Sequence, residues 1–258
     1  MGQTVTRFVR FQQDSTVAYG IHDGDVIRPI EGDLFGARRE TGPALPVAGV
    51  KLLYPVEATK IFAVGRNYKS HLGERAQPSR PEIFYKPISA LQNPEDPIVI
   101  PPGAKNVHFE GEMVVVIGRR AKGLSKEAAR AAIFGVTCGN DVSERDWQGG
   151  PDKDLQWWRA KGADTFAPLG PAIVTGLDYG HLQLETRLNG EVMQKQNTSD
   201  LVFDGPAVVS FVSQYVTLVP GDVIYTGTPG ATRAMKPGDV VEVEIEGIVV
   251  LRNRIAAS

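Results

Sequence analysis

Hydrophobic and polar positions change rhythm several times along the chain. From Thr4 to Ile30 they alternate in short runs, TRFVRF and then YGIHDGDVIRPI, with Asp23-Gly24 placed between two apolar stretches as a hairpin turn requires. This pattern predicts a small β unit over residues 1–55. The Pro- and Gly-bearing stretch Thr41 to Gly49 reads as a linker, with the boundary between Val50 and Thr59 and the main domain over residues 56–258. Helical spacing is confined to two places, Ser125 to Phe134 before Gly135 and Pro206 to Leu218 before Pro220-Gly221. Strands are predicted at Val107 to Gly118, at Leu182 to Leu188 with a turn at Asn189-Gly190, at Asp222 to Tyr225, and at Val240 to Ile245 turning through Glu246-Gly247 into Ile248 to Arg254. Three hairpin signals and few helices favour an irregular, β-rich α+β fold over a doubly wound sheet or an eightfold barrel.

Composition narrows the partners more than the fold. A chain of 258 residues, 42% hydrophobic and 22% charged with net charge -2, has the material for one main core and a small appendage. Its 28 basic residues do not outnumber its 30 acidic ones, so neither nucleic acid nor an anionic membrane is an expected partner, and a small molecule is. No apolar run is long enough to span a bilayer, and the start, MGQTVTRFVRFQQDS, has no apolar signal segment. Met1-Gly2 with Thr6 formally fits a myristoylation pattern, which the strand start from Thr4 to Val9 outweighs. The single cysteine, Cys138, excludes an internal disulfide and a cysteine-ligated zinc, and the expected location is cytoplasmic.

The nucleotide-binding, nucleophile-elbow and H-E-x-x-H signatures are missing. What remains is VHFEGEMVVVIG, in which a strand places His108, Glu110, Glu112, Val114 and Val116 on one face. Two carboxylates on one face of an otherwise apolar strand are costly unless a cation or a proton offsets them. They either sit at a solvated strand end or hold a metal. A third oxygen donor, Asp141, ends the apolar strand IFGVTCGND, and a strand, helix, strand unit would return it beside the glutamates. Asp141 also reads as an N-cap, since DVSERDWQ opens like a helix and Ser143 with Asp146 matches a capping pattern, and the two readings are compatible. An all-oxygen set suits a hard cation, Mg²⁺ first, with Mn²⁺ or Ca²⁺ also possible, and fits zinc poorly.

Seven segments in order, GRNYKSH (Gly65 to His71), FYKP (Phe84 to Pro87), FEGEMVVVIG (Phe109 to Gly118), GNDVSERDWQ (Gly139 to Gln148), KGADTFAPLGP (Lys161 to Pro171), LNGEVMQ and PGDVIYTGTPGA (Pro220 to Ala231), resemble the fumarylacetoacetate hydrolase superfamily. The likeness covers about residues 50 to 258 and is to bacterial acylpyruvase-like and 2-hydroxyhepta-2,4-diene-1,7-dioate isomerase-like members. It implies a β-rich rolled mixed sheet with a small N-terminal β domain, a divalent metal and a homodimer. It also implies metal ligation by Glu110, Glu112 and Asp141, and a His71 and Glu74 pair that activates water, carried on a lid. Lys161 is implied beside the metal, and Arg145, Gln148, Gly227, Thr228, Arg66 and Asn67 as substrate contacts. Lys86 shares the uncertain standing of the GRNY motif, between a structural and a contact role. Gly111, between the two glutamates, departs from the bulkier apolar residue of many members and is expected to loosen the strand or to admit another backbone.

The function the resemblance implies is hydrolytic cleavage of a carbon-carbon bond in a 2,4-dioxo acid of the acylpyruvate or fumarylpyruvate type, through a metal-bound enolate. The same residues would serve isomerisation of a hydroxymuconate-like or heptadienedioate substrate in aromatic catabolism, or decarboxylation or tautomerisation of oxaloacetate. A reading of another class is a catalytically idle metal-binding protein. Trp157 and Trp158 read as packing, with one at the pocket mouth; His108 is an outer neighbour of the acidic pair or without a role, and His22 and His181 receive none.

Overall fold

The structure, a computed structural model, describes residues 4–258; Met1 to Gln3, which begin the myristoylation pattern, lie outside the described residues. A thirteen-stranded mixed sheet forms the body. At its middle the strand Gly111–Ile117 pairs antiparallel with Ile133–Asn140 on one side and with Val223–Tyr225 on the other. Ala167–Thr175 follows beyond Ile133–Asn140, and Ile61–Gly65 lies parallel to Val223–Tyr225, with Glu82–Lys86 at the sheet edge.

Met113, Val115 and Ile117 enter one core with Val208, Val209 and Val212 of the helix Gly205–Tyr215. Val114 and Val116 enter a second core with Ile61, Ile173 and Tyr225. A strand covered on both faces reads as a continuous apolar run, as MVVVI does, and the two-residue period leaves Glu112 on the Val114 face. A five-stranded second sheet holds Gln183–Leu188, Glu191–Asn197, Val240–Ile245 and Leu251–Ala257, and its Leu184, Val243, Ile245 and Leu251 join the first core. The architecture is the expected β-rich α+β fold with a β N-terminal region. No helix among the described residues is long and apolar enough to cross a membrane.

Several boundaries move for identifiable reasons. The N-terminal strand Thr6–Gln13 pairs with Ala167–Thr175, Phe8 opposite Ile173, so the large sheet continues into the first residues. The stretch read as a linker is strapped down: Leu45–Pro46 pairs with Val26 and Ile27, Lys51–Leu53 pairs with Arg10–Gln12, and Leu45, Val47, Val50 and Leu52 pack on the core. The helix expected to run from Ser125 to Phe134 spans Lys126–Arg130, with Ser125 capping it by accepting from the Ala128 N–H. Ile133 already begins a strand, and a Cβ at Gly135 would lie 2.5 Å from the Val174 carbonyl oxygen, so that glycine admits a neighbouring strand instead of ending a helix. The second helix spans Gly205–Tyr215, capped by Asp204, and ends before the extended Val216.

The strand expected over Val107 to Gly118 is interrupted: Val107–His108 pairs with Ser143–Glu144, and the central strand resumes at Gly111. Asn189 and Gly190 both take positive φ, 54° and 82°, as a two-residue hairpin turn demands. The last hairpin opens later than expected, with its second strand at Leu251–Ala257.

Candidate active site

The acidic cluster follows from strand register. Gly111 faces Asn140 and Glu112 faces Gly139 across the central antiparallel pair, and Asp141 comes next, its N–H donating to the Glu110 carbonyl at 2.9 Å. The strand, helix, strand unit returns Asp141 beside the glutamates as expected, on an antiparallel neighbour. Gly139 makes the approach possible, since a Cβ there would lie 2.4 Å from Val114 Cγ2 and 2.5 Å from the Tyr225 ring. Glu110, Glu112 and Asp141 are all buried, and each offers an oxygen within 4.8 Å of the others'. The solvated strand end is excluded.

Three cations answer part of this charge. Lys161, in the last turn of the short helix Trp158–Gly162, donates to Glu110 Oε2 at 2.6 Å and to Asp141 Oδ2 at 2.7 Å. Arg145 Nη2 lies 2.6 Å from Glu110 Oε1, and Lys86 Nζ lies 2.5 Å from Asp141 Oδ1 and also donates to the Lys161 carbonyl. Burial acts to raise the Glu110 carboxyl, but Lys161 and Arg145 outweigh it and hold it at about 2. Glu112 goes the other way: burial, with Asp141 and then Glu110 beside it, pushes its carboxyl well above the ordinary range. Its one hydrogen bond is from the Gly227 N–H at 2.6 Å, and no cation pairs with it among the described residues. A buried, unanswered carboxylate beside two others, all donors being oxygen, fits a hard divalent cation.

The remaining expected contacts divide into two groups, apart from Arg66, which is exposed and lines the cavity. Arg145 and Gln148 stand together on the cavity wall, with Arg145 donating to Gln148 Oε1 at 2.7 Å and to Thr232 Oγ1 at 2.8 Å. The helix that carries them, Arg145–Gly149, is capped by Glu144, which accepts from the Trp147 N–H; Ser143 instead donates to the Asp141 carbonyl. That replaces the expected Ser143 cap.

Gly227, Thr228 and Asn67 are occupied with the protein itself. The Gly227 N–H holds Glu112, and its φ of 106° and the 2.8 Å that a Cβ would leave to Asn67 Cβ require glycine. Thr228 lines the cavity, but its hydroxyl donates to the Gly111 carbonyl and accepts from Gln194. Asn67 is buried, donating to the Phe203 and Thr226 carbonyls and accepting from the Phe203 N–H, which clamps the start of the GRNY segment to the sheet.

The His71 and Glu74 pair is not assembled. Their helix spans only Lys69–Leu72 and breaks at Gly73, with φ 57° and ψ -125°, so Glu74 lies beyond it, exposed and off the cavity wall. His71 lines the cavity, and its Nδ1 lies 2.5 Å from the Gly230 carbonyl oxygen. A carbonyl only accepts, so Nδ1 carries the proton and Nε2 is left as the acceptor.

Gly111 admits a side chain and not a backbone: a Cβ there would lie 1.9 Å from Thr186 Oγ1, and its N–H donates to Gln194 Oε1. Gln194, Gly230 and Thr232 were not among the expected contacts; the LNGEVMQ and PGDVIYTGTPGA segments contain the first two without singling them out, Thr232 lies just beyond the second, and the FYKP segment pointed to Lys86. Trp157 lines the cavity and meets Phe84 edge-on at 5.5 Å, while Trp158 is exposed. His108 sits one step out, bonded to Thr232 and Asn106.

The cavity over these groups measures about 620 Å³. A family model described as fumarylacetoacetate (FAA) hydrolase C-terminal matches residues 60–256, and one described as Rv2993c-like, N-terminal, matches residues 6–55. Protein Rv2993c of Mycobacterium tuberculosis is 42% identical over 261 residues, covering 96% of this chain and 97% of that protein. Oxaloacetate tautomerase FAHD2A, mitochondrial, of Bos taurus is 43% identical over 226 residues, covering 83% and 72% of the two chains. The crystal structure of 2-hydroxyhepta-2,4-diene-1,7-dioate isomerase from Mycobacterium marinum superimposes with a TM-score of 0.90 at 41% identity, covering 98% of this chain and 99% of that one. On the match over residues 60–256 and these likenesses along nearly the whole length, the chain belongs to the fumarylacetoacetate hydrolase family.

Proposed function

We propose that the protein is a divalent-metal enzyme that moves a proton on a 2-oxo acid, as a keto-enol tautomerase or double-bond isomerase. The observation that carries this reading is Glu112, buried and without a cation, beside Glu110 and Asp141. Glu110, Glu112 and Asp141 would hold a divalent cation such as Mg²⁺, which would supply Lewis acidity to a 2-oxo acid bound beside it.

The chain's own residues supply the rest. Lys161 places a second buried positive charge against the same carboxylates, where negative charge on the substrate oxygen develops. Arg145, fixed by Gln148 and Thr232, presents a guanidinium to a substrate carboxylate. His71, its tautomer set by Gly230, offers Nε2 to take or return a proton. With Glu74 off the cavity wall, the arrangement supports proton transfer ahead of water activation. Relatives named as an oxaloacetate tautomerase and a 2-hydroxyhepta-2,4-diene-1,7-dioate isomerase support this reading, since both names denote a shift of a proton within the substrate.

Hydrolytic cleavage of an acylpyruvate-type 2,4-dioxo acid is the second reading, favoured by the presence of His71 in the cavity only three residues before Glu74. A homodimer is part of the proposal, supported by the edge strand Glu82–Lys86 and the exposed Tyr85, Leu155 and Trp158 around one neighbouring cavity. Sedimentation of the protein checks it, and a monomer refutes it.

The deciding experiment follows oxaloacetate and acetylpyruvate by proton NMR in D₂O, with metal-stripped protein and Mg²⁺ added back. Metal-dependent exchange at the carbon beside the ketone is expected, without fission. Metal-dependent release of pyruvate and acetate from acetylpyruvate transfers the assignment to hydrolysis. Carbon dioxide from oxaloacetate transfers it to decarboxylation, and silence leaves the idle metal-binding protein.

A further inference from the structure

The central strand Gly111–Ile117 outruns its neighbour Val223–Tyr225. Their ladder ends with Val114 opposite Tyr225, and the Thr226 N–H still reaches the Met113 carbonyl at 3.1 Å. Beyond that point residues 226–230 are no longer strand, so Gly111, the residue between Glu110 and Glu112, has no strand on that side.

Side chains take over the ladder there. The Gly111 N–H donates to Gln194 Oε1 at 3.1 Å, Gln194 Nε2 donates to Thr228 Oγ1 at 2.8 Å, and the Thr228 hydroxyl donates to the Gly111 carbonyl at 3.0 Å. These bonds close a ring on the backbone of one residue. The second hydrogen on Nε2 goes to the Pro229 carbonyl at 2.5 Å, so both donors of the amide are used.

Gln194 reaches this place from the second sheet on an irregular strand. In Glu191–Asn197 it faces Thr186, while Val192 faces Arg187, so Met193 is the extra residue of a β-bulge. A two-residue period would put Val192 and Gln194 on one face, yet Val192 is exposed and Gln194 is the one buried residue of the strand. The bulge turns an amide inward where an apolar side chain would pack as well, and what the amide adds is its hydrogen bonds.

Each residue of the loop it fastens has a partner at the site. The Gly227 N–H holds Glu112, Thr228 holds Gly111, Pro229 is held by Gln194, and the Gly230 carbonyl accepts from His71 Nδ1. Four consecutive residues therefore join the acidic cluster to the imidazole. Gln194 is fixed to the middle of the loop and to the strand at once, and does not itself line the cavity.

We infer that Gln194 is a positioning residue that locks the loop Gly227 to Gly230 against the Gly111 backbone and so fixes the Glu112 carboxylate and the His71 imidazole relative to each other. This rests on the proposed roles of Glu112 with a divalent cation and of His71 with the proton, and adds the residue that holds the two in register.

The test is Gln194→Met in the full chain, which keeps length and volume and removes the amide. Two readouts need no turnover. Mn²⁺ binding, by calorimetry, is expected to weaken about 10- to 100-fold, the size typical when the support of a metal ligand is lost. In metal-free protein, nitrogen NMR of isotope-labelled histidine rings identifies His71 by the signals that His71→Asn removes. It is expected to show the proton on Nδ1 in the wild type and shared between Nδ1 and Nε2 in Gln194→Met. In deuterium exchange on oxaloacetate at saturating Mg²⁺, kcat is expected to fall about tenfold or more with KM within about twofold.

A side chain that serves only the fold would lower the unfolding temperature and leave metal affinity and tautomer as in the wild type, and that outcome overturns the inference. Should Gln194→Met not fold, Thr228→Val breaks the ring at the hydroxyl while keeping the shape, and Thr228→Ser restores it. Mn²⁺ affinity is then expected to fall in the first and return in the second, and equal affinity in both overturns the inference. Absence of exchange in a wild type that binds Mn²⁺ overturns the functional reading alone, and the binding and tautomer results still decide the role of Gln194. Failure of the wild type to bind Mn²⁺ overturns both.

Discussion

The strand pair that carries Glu110, Glu112 and Asp141 and the segment from Arg66 to Arg75 face one cavity and are built by opposite means. In the first, side chains alternate on backbone fixed by ladders on both sides, and every residue of the central strand is buried. In the second, one turn of helix ends at Gly73, and the segment is anchored up to that point, by Asn67, by the Ser70 N–H on Asp200 and by the buried Leu72. The strand pair tolerates strongly opposed charges because the sheet leaves them nowhere to go. The segment can present His71, Arg66 and Arg75 without burying a charge, and its geometry depends on single contacts such as His71 to Gly230. Rigid ligands and an adaptable wall are a common division of labour at binding sites.

The sharpest way to break this comparison is Glu112→Gln. It should abolish metal-dependent activity and weaken Mn²⁺ binding, measured by calorimetry, by more than the roughly 100-fold typical of outer-shell changes. Because it removes a buried carboxylate with one donor while keeping an oxygen for the Gly227 N–H, the metal-free protein should unfold at a higher temperature. Loss of stability as well as metal would mean that Glu112 holds the fold.

In the segment from Arg66 to Arg75, His71→Asn should lower proton-transfer turnover by about 10²- to 10⁴-fold with metal affinity intact, whereas Glu74→Gln should leave turnover unchanged. Equal losses from the two would show that the pair closes over ligand, and would move the mechanism towards hydrolysis.

A smaller effect is expected where the floor is packed from behind. Gly111→Ala should destabilise the protein by about 1–3 kcal/mol in denaturant unfolding, because its Cβ meets Thr186 Oγ1, and adding Thr186→Ala should restore most of the loss. If the double variant is no more stable than the single, the crowding lies elsewhere.

The mildest expectation concerns pH. Burial and then the Arg145 guanidinium push His108 down from its ordinary value of 6.5 to about 4. Between those values the unfolded chain takes up a proton that the folded protein refuses, so stability should fall as pH drops through that window. His108→Gln should flatten this slope in unfolding curves recorded from pH 7 to pH 4; an unchanged slope would assign it to other groups.

Legibility in the sequence followed the same division. Glu110 and Glu112 could be placed on one face because a strand has a period of two, and the apolar run behind them showed that the face is buried. Asp141 was readable as the end of the next apolar strand. The start of the helix near Ser125 and the turn at Asn189-Gly190 were readable because they are settled within a few residues. The extent of the first helix was not, since Gly135 looks like a stop signal and serves instead to let Val174 approach. Nor was the standing of Thr41 to Gly49, where Pro and Gly suggested freedom and Leu45 and Val47 supplied a reason to dock.

The sequence by itself determined the β-rich fold class, the family, the acidic trio and the lysine beside it, because these depend on periodicity and on ordered motifs carried by neighbouring residues. Only the tertiary structure decided which of the candidate contacts are free to meet a ligand. Asn67, Gly227 and Thr228 are spent on holding the sheet and Glu112 together, Lys86 arrives from the sheet edge to hold Asp141, and Gly230 rather than Glu74 orients His71. The physical reason is that a polar group's availability is set by partners distant in the chain, which compete for the same hydrogen bonds once the backbone has brought them within reach.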